Sequence, residues 1–347
     1  MQGRNALLFL TLGTLLLGRN AAAAEPVTID PETLDYYLFQ AFDSTDSSER
    51  TALYHIGVQG QQQENGFLIH AVLDAYPAHA AGLMRGDIIL SSNGSKFHEV
   101  LSFNSPPNTQ QDLKGSATEY ALEILREGQS REFSVTPVFE NLFDSYRSAT
   151  ASSTQQFNAG NKTIGYVHFW ALSRTSHDVL TYHDLVQSLA QSDGIILDLR
   201  NSYGYLDTHQ LQLFAARNLN FLVKDAAPWL QDWENPSFSV QIEPYRRPVA
   251  ILVNRQTRAA GELMAAALSP LERIVTLGES TAGFLGSITK VSQASAMHYE
   301  ASETLINGTS VESTGIQPEM VVEYLENDSR RDDPQFETAI NFLLGII

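Results

Sequence analysis

The chain has 347 residues, with 40 acidic against 22 basic side chains and a formal net charge of -18. A surface of that sign repels nucleic acid and anionic lipid alike, so neither is an expected partner. There is no cysteine, which excludes disulfides and a lipid-bearing cysteine and leaves the fold to its apolar cores.

The amino terminus carries Arg4, an apolar run from Ala6 to Leu17, and the small residues Ala21 to Ala24 before Glu25-Pro26. This is the pattern of a signal peptide over residues 1–24 with cleavage after Ala24. The run is short for a membrane span, and a retained anchor is the alternative. The expectation is an exported protein, periplasmic or extracellular. Residues 25–50 read as a helical segment: Asp30 to Asp43 holds Pro31 at a first-turn position and a face of Leu34, Tyr37, Leu38 and Phe42.

Residues 51–140 are rich in strand patterns: Tyr54 to Gln59, Gly66 to Leu73, Asp87 to Ser91, and a hairpin of Thr118 to Arg126 with Arg131 to Val138. Glu127-Gly128 supplies that hairpin's turn. Between the second and third strands, Tyr76 to Leu83 predicts one or two helical turns. The phrase Pro77-Ala78-His79-Ala80-Ala81-Gly82-Leu83-Met84-Arg85-Gly86-Asp87-Ile88-Ile89, followed by Asn93-Gly94, closely resembles a bacterial PDZ domain. The resemblance implies that a peptide adds as a strand and that its terminal carboxylate is captured on the loop His55-Ile56-Gly57-Val58, with His55 where glycine is common. The matching groove helix would fall between Phe97 and Lys114, a stretch interrupted by Asn104 to Asn108. Residues 141–162 read as a linker, since Ser148 to Asn161 is polar and rich in Ser, Gln and Asn.

From residue 163 to 347 the pattern changes to alternating strand and helix. Thr163 to Phe169, a helix from Asp178 to Ala190 and a strand from Gly194 to Leu199 make a βαβ unit. The buried strand Val249 to Asn254 leads through Arg255 to Glu262 into an Ala-rich helix, Leu263 to Leu268. Arg273 to Leu277 is the next strand, and Asp333 to Ile340 the terminal helix. A strand that turns sharply into a helix exposes unpaired N–H groups where the helix dipole favours negative charge, so it can hold a nucleophile and an oxyanion together.

Four segments in one order resemble the C-terminal-processing (tail-specific) serine proteases: Gly194 to Asn201, Val249 to Leu268, Leu277 to Gly283, and Thr314-Gly315-Ile316-Gln317-Pro318-Glu319. The resemblance implies an α/β core domain of the ClpP/crotonase-like kind behind the PDZ-like module. It also implies a serine three residues before Glu262, and that position is Ala259. The family's lysine falls on Phe284, although Thr281-Ala282-Gly283 is closer to the tricorn-like branch, which uses a histidine-containing tetrad. Gly204 and Ala260 match the oxyanion-binding positions, with Tyr205 in place of the second glycine of the family's pair.

A hydroxyl needs a base within hydrogen-bond reach before it attacks. Thr257 and Ser287 are too far out of register to replace the serine, and Lys290 is the nearest lysine downstream. Thr257 reads as the cap of the helix. An engineered serine-to-alanine change would also give Ala259, but the departures at Phe284 and Tyr205 favour natural loss. His168, His177, His183 and His209 show no metal-ligand spacing, with His168 on a core strand and the others exposed, so no metal or cofactor is expected. The resulting expectation is an exported pseudoprotease that binds peptides or protein C-termini. The alternatives are an active serine endopeptidase with an unidentified nucleophile and a purely structural partner domain.

Overall fold

The computed structural model describes residues 26–44, 46–104, 118–215, 223–224, 227–230, 234, 238–290, 296–325 and 332–347. The signal-peptide segment and most of the expected groove-helix stretch lie outside the described residues.

Six antiparallel strands form the sheet of the β-rich module: Val58–Gln63, Gly66–Val72, Ile88–Ser92, Tyr120–Arg126 and Gln129–Val135 in that spatial order, with the short Ser95–Lys96 also paired to Ile88–Ser92. Phe67, Ile69, Ile89, Leu122 and Ile124 are all fully buried between them, as the alternating pattern requires. Glu127 and Gly128 both take positive φ, at 53° and 73°, which makes the expected hairpin turn. The second hairpin strand begins at Gln129 and stops at Val135. Past Pro137, Val138–Glu140 leaves the sheet and pairs with Leu53–His55. Arg126 and Asp87 form a buried two-pronged ion pair, both contacts at 2.6 Å.

The linker expected over 141–162 is instead folded. Leu142–Ser153 is a helix, capped by Asn141, whose Oδ1 accepts the Asp144 N–H at 3.0 Å. Leu142, Phe143, Tyr146 and Ala149 are buried along one face, and the serines that suggested a loop lie largely on the other. Gln155–Ala159 follows as an antiparallel edge strand on Lys162–His168. Its polar side chains face solvent, as an edge strand allows.

The α/β sheet runs in the order Gln155–Ala159, Lys162–His168, Gly194–Asp198, Val249–Val253, Ile274–Gly278 and Met320–Val321, parallel after the first pair. Every residue of the three central strands is buried, because helices cover both faces. Ile195, Leu197, Val249, Ile251 and Val253 pack in one core with the helix Ala260–Leu268. Their sheet neighbours Ile196, Ala250 and Leu252 pack with Ala339 and Leu343 of the terminal helix Pro334–Ile346. The expected helix from Asp178 spans Ser176–Ser188 with Thr175 as its cap. The amino-terminal helix is shorter than expected, Leu34–Asp43. Thr33 caps it, and Pro31 stands in the preceding turn and not in its first turn. Among the described residues, no helix is long and apolar enough to cross a membrane.

Candidate active site: an elbow without a hydroxyl

Ala259 is the residue at which the chain turns from the Val249–Val253 strand into the Ala260–Leu268 helix. It holds φ 48° and ψ -110°, a region that a residue with a Cβ enters only at a cost of about 1–3 kcal/mol. Strain of this kind marks a nucleophile elbow, the sharp strand-to-helix turn that lifts one side chain above a sheet. Here the lifted side chain is a methyl group.

The elbow is locked from within by Glu262. Its carboxylate accepts the Ala259 N–H at 3.1 Å, the Thr281 hydroxyl at 2.6 Å, the Gly283 N–H at 2.5 Å and the Phe284 N–H at 2.8 Å. Burial pushes the carboxyl up to about 7, and those four donors oppose the rise. In the sequence, Glu262 served only to count back to the nucleophile position. Its structural role follows from its being fully buried on the first helical turn.

Thr257 is not the helix cap. Its hydroxyl donates to the Leu199 carbonyl at 2.9 Å and accepts the Asn254 N–H at 3.0 Å, which ties the loop before the elbow to the neighbouring strand. Ser287 and Lys290 lie on the strand Ser287–Lys290 as expected, and Lys290 pairs with Asp43 at 3.4 Å.

The two oxyanion candidates come from segments that touch. Arg258 N–H donates to the Ser202 carbonyl at 3.1 Å, and a Cβ on Gly261 would sit 2.1 Å from Ser202 Oγ. Ala260 is the first residue of its helix, where an N–H has no intrahelical acceptor. Gly204 lies against Leu172, whose carbonyl oxygen would be 2.0 Å from any Cβ at that position, and its φ is 129°. Glycine is obligatory there.

Phe284, at the lysine position, stacks on Tyr299 with ring centroids 3.9 Å apart and on Phe39 at 5.4 Å. Phe39 also meets Tyr203 at 4.9 Å. Phe39 and Tyr203 belong to a cluster that includes Ala259, which is only 3% exposed, and Phe284 packs against it. Sequence reasoning missed the cover: the helix Leu34–Asp43 lies over the elbow, and Asp35 pairs with the buried Arg258 at 2.9 Å. Its apolar face was legible, but not what that face covers.

At the other proposed site, the loop His55 to Val58 is turned inward. His55, Ile56 and Val58 are 2%, 1% and 5% exposed. The Gly57 N–H donates to His55 Nδ1 at 3.2 Å, and His55 Nε2 meets Ser145 Oγ at 3.0 Å. Burial pushes His55 down to about 4, so the ring is neutral and its Nδ1 is free to accept. The strand Val58–Gln63 that follows is an edge of the module's sheet.

The histidines do not converge on the elbow. His168 ends its strand, stacked on Trp170 at 3.7 Å with Nε2 on the Arg200 carbonyl at 2.7 Å. His177 is exposed and His183 half-buried. His209, expected at the surface, is buried, stacked on Phe238 at 4.5 Å and held beside the capping Asp207.

Residues 163–322 match the model of peptidase family S41. That stretch, 160 of the 347 residues, lies within the α/β domain, which is similar to the family. Over 82% of its length the chain is 27% identical to a carboxyl-terminal-processing protease of Synechocystis. Over 84% it is 27% identical to the carboxy-terminal processing protease CtpA of Bacillus subtilis. It spans 66% and 60% of the length of those two relatives. The crystal structure of an S41 protease candidate from Bacteroides fragilis superposes with a TM-score of 0.51 at 16% identity, covering 86% of this chain and 84% of that one. Ala259, Phe284 and Tyr205 all lie within the stretch that matches the S41 model.

Proposed function

We propose that this protein is a catalytically silent S41-family member that is exported and binds peptides or protein C-termini without cutting them. The observation that carries the reading is Ala259 itself. It keeps the strained backbone of a nucleophile elbow, offers no atom that can attack, and is 3% exposed beneath the Leu34–Asp43 helix. Phe284 in the aromatic stack supplies no base. Thr257, the nearest hydroxyl in sequence, is committed to Leu199 and Asn254.

The PDZ-like phrase Pro77 to Ile89 and the edge strand Val58–Gln63 support peptide recognition by strand addition. Carboxylate capture at Gly57 requires the His55 ring to release the Gly57 N–H. The apolar run Ala6 to Leu17 and the alanines before Glu25 support export.

The test is cleavage of a disordered protein substrate by the purified chain beside its Ala259→Ser variant, with labelling by a serine-directed fluorophosphonate. Loss of a nucleophile from a related mechanism costs on the order of a millionfold in turnover, and catalytic groups act as a unit. Neither protein should cleave above background. Inhibitor-sensitive cleavage by the unaltered chain would establish the alternative, an active endopeptidase. Strong cleavage by Ala259→Ser alone would show a complete site disabled at a single side chain.

A further inference from the structure

Between the β-rich module and the α/β domain lies a cavity of about 200 Å³ that does not include Ala259. Its floor is formed at the carboxyl ends of the parallel strands by His168, Asp198 and Asn254, and the module contributes Asp74 and Arg85. Open α/β sheets bind ligands at that edge. Four carboxylates line the cavity, on Asp74, Asp198, Glu279 and Asp333, against two guanidinium groups, on Arg85 and Arg200. Glu279 is paired with Arg255 at 3.1 Å from outside the lining, so one surplus negative charge is left. Arg200 holds Asp198 and Asp333, each at 2.6 Å, and the Trp170 indole N–H holds Asp74 at 2.8 Å. A carboxylate bonded in this way retains acceptor positions.

A second observation comes from Asn201, which lines the cavity, is 3% exposed, and has no partner for its Nδ2. The amide cannot simply be turned over. Asn254 Oδ1 already accepts the Asn201 N–H at 3.0 Å and the Gln256 N–H at 3.1 Å. Asn254 must therefore point its Nδ2 at Asn201, which accepts through Oδ1 at 2.8 Å. The Asn201 Nδ2 is left as a buried donor that needs an acceptor from elsewhere.

We propose that this cavity binds an ammonium group with a carbonyl oxygen beside it, the pair carried by the free amino terminus of a peptide. The ammonium answers the surplus carboxylate charge, with Trp170 and Tyr166 as aromatic walls. The first carbonyl oxygen accepts from Asn201. This goes beyond the reading of the module as a peptide or C-terminus binder and does not depend on it.

The experiment uses the full chain and four copies of one apolar pentapeptide, with the amino end free or acetylated and the carboxyl end free or amidated, measured by titration calorimetry. Acetylation should weaken binding by about tenfold or more whichever carboxyl end is present, since it removes a charge-assisted bond. Asp74→Asn, which retains an acceptor for Trp170, should weaken the free-amine copies and leave the unfolding midpoint in place. Asn201→Gly, compatible with the positive φ of 57° at that position, should weaken them too, with a lower unfolding midpoint because Asn254 Nδ2 loses its acceptor. Equal affinity of free and acetylated copies, no binding of any copy, or Asp74→Asn binding like the unaltered chain would each overturn the proposal. An effect of amidation without one of acetylation would overturn it while leaving the C-terminus reading intact, and the reverse result would separate the two the other way.

Discussion

At the scale of single residues, the elbow is held by groups other than Ala259, the residue at its turn. Gly204 has no room for a methyl group, since a Cβ there would lie 2.0 Å from the Leu172 carbonyl oxygen and the residue holds φ at 129°. Gly204→Ala should cost about 3 kcal/mol or more in urea unfolding, and a loss below about 1 kcal/mol would mean that the two segments are less tightly held than they look. Glu262 gives a pH dependence. Its ordinary value is 4.5 and burial raises it to about 7. Between those values the native chain holds a proton that the unfolded chain has released, so this contribution is full below about pH 4.5 and is lost as pH rises through about 7. Glu262→Gln cannot titrate. The stability of the unaltered chain relative to that variant should therefore fall between about pH 4.5 and 7.5, and a difference constant across that window would contradict the assignment.

At the scale of elements, the Leu34–Asp43 helix decides whether the elbow is a cleft or a core. Leu38, Phe39, Ala41 and Phe42 are all buried beneath it, and its Asp35 meets the Arg258 charge. Phe39→Ala should cost about 3–5 kcal/mol, as expected for an emptied aromatic site in a packed core. A cost near zero by chemical denaturation would show that the helix rests on the elbow without being part of its core. The Leu142–Ser153 helix has a comparable role. Its Tyr146 accepts from Gln59 of the module at 2.5 Å, and its Ser145 reaches His55. The segment that resembled a linker in composition is thus the element that fixes one domain on the other.

At the scale of the whole molecule, one apolar cluster crosses the boundaries drawn from the sequence at residues 50, 140 and 162. It joins Phe39 and Phe42 of the cover helix, Leu53, Leu73 and Tyr76 of the module, Phe143 and Tyr146 of the bridging helix, and Trp170, Tyr203 and Ala259 of the α/β domain. Domains that share a core lose it together. Calorimetric unfolding should show a single transition, with its van't Hoff enthalpy matching the measured one. Two resolved transitions would show that the shared cluster does not couple the module to the α/β domain.

The sequence by itself determined the parallel strands Gly194–Asp198, Val249–Val253 and Ile274–Gly278, because a strand buried on both faces is written as an unbroken apolar run. It also determined that residue 259 lacks a hydroxyl and that the turn Glu127-Gly128 closes a hairpin. It did not disclose the helix Leu142–Ser153 or the edge strand after it, since a half-exposed element needs few apolar residues and its polar face reads as loop. Nor did it disclose the burial of His209 or the inward turn of His55, because a histidine's surroundings come from segments distant in the chain. Only tertiary structure brought Asp74, Asn201 and Asp333 around one cavity, and only tertiary structure put Phe39 and Ala259 in one apolar cluster. Periodicity reports which face of an element is apolar. What that face meets is decided by the packing of the whole chain.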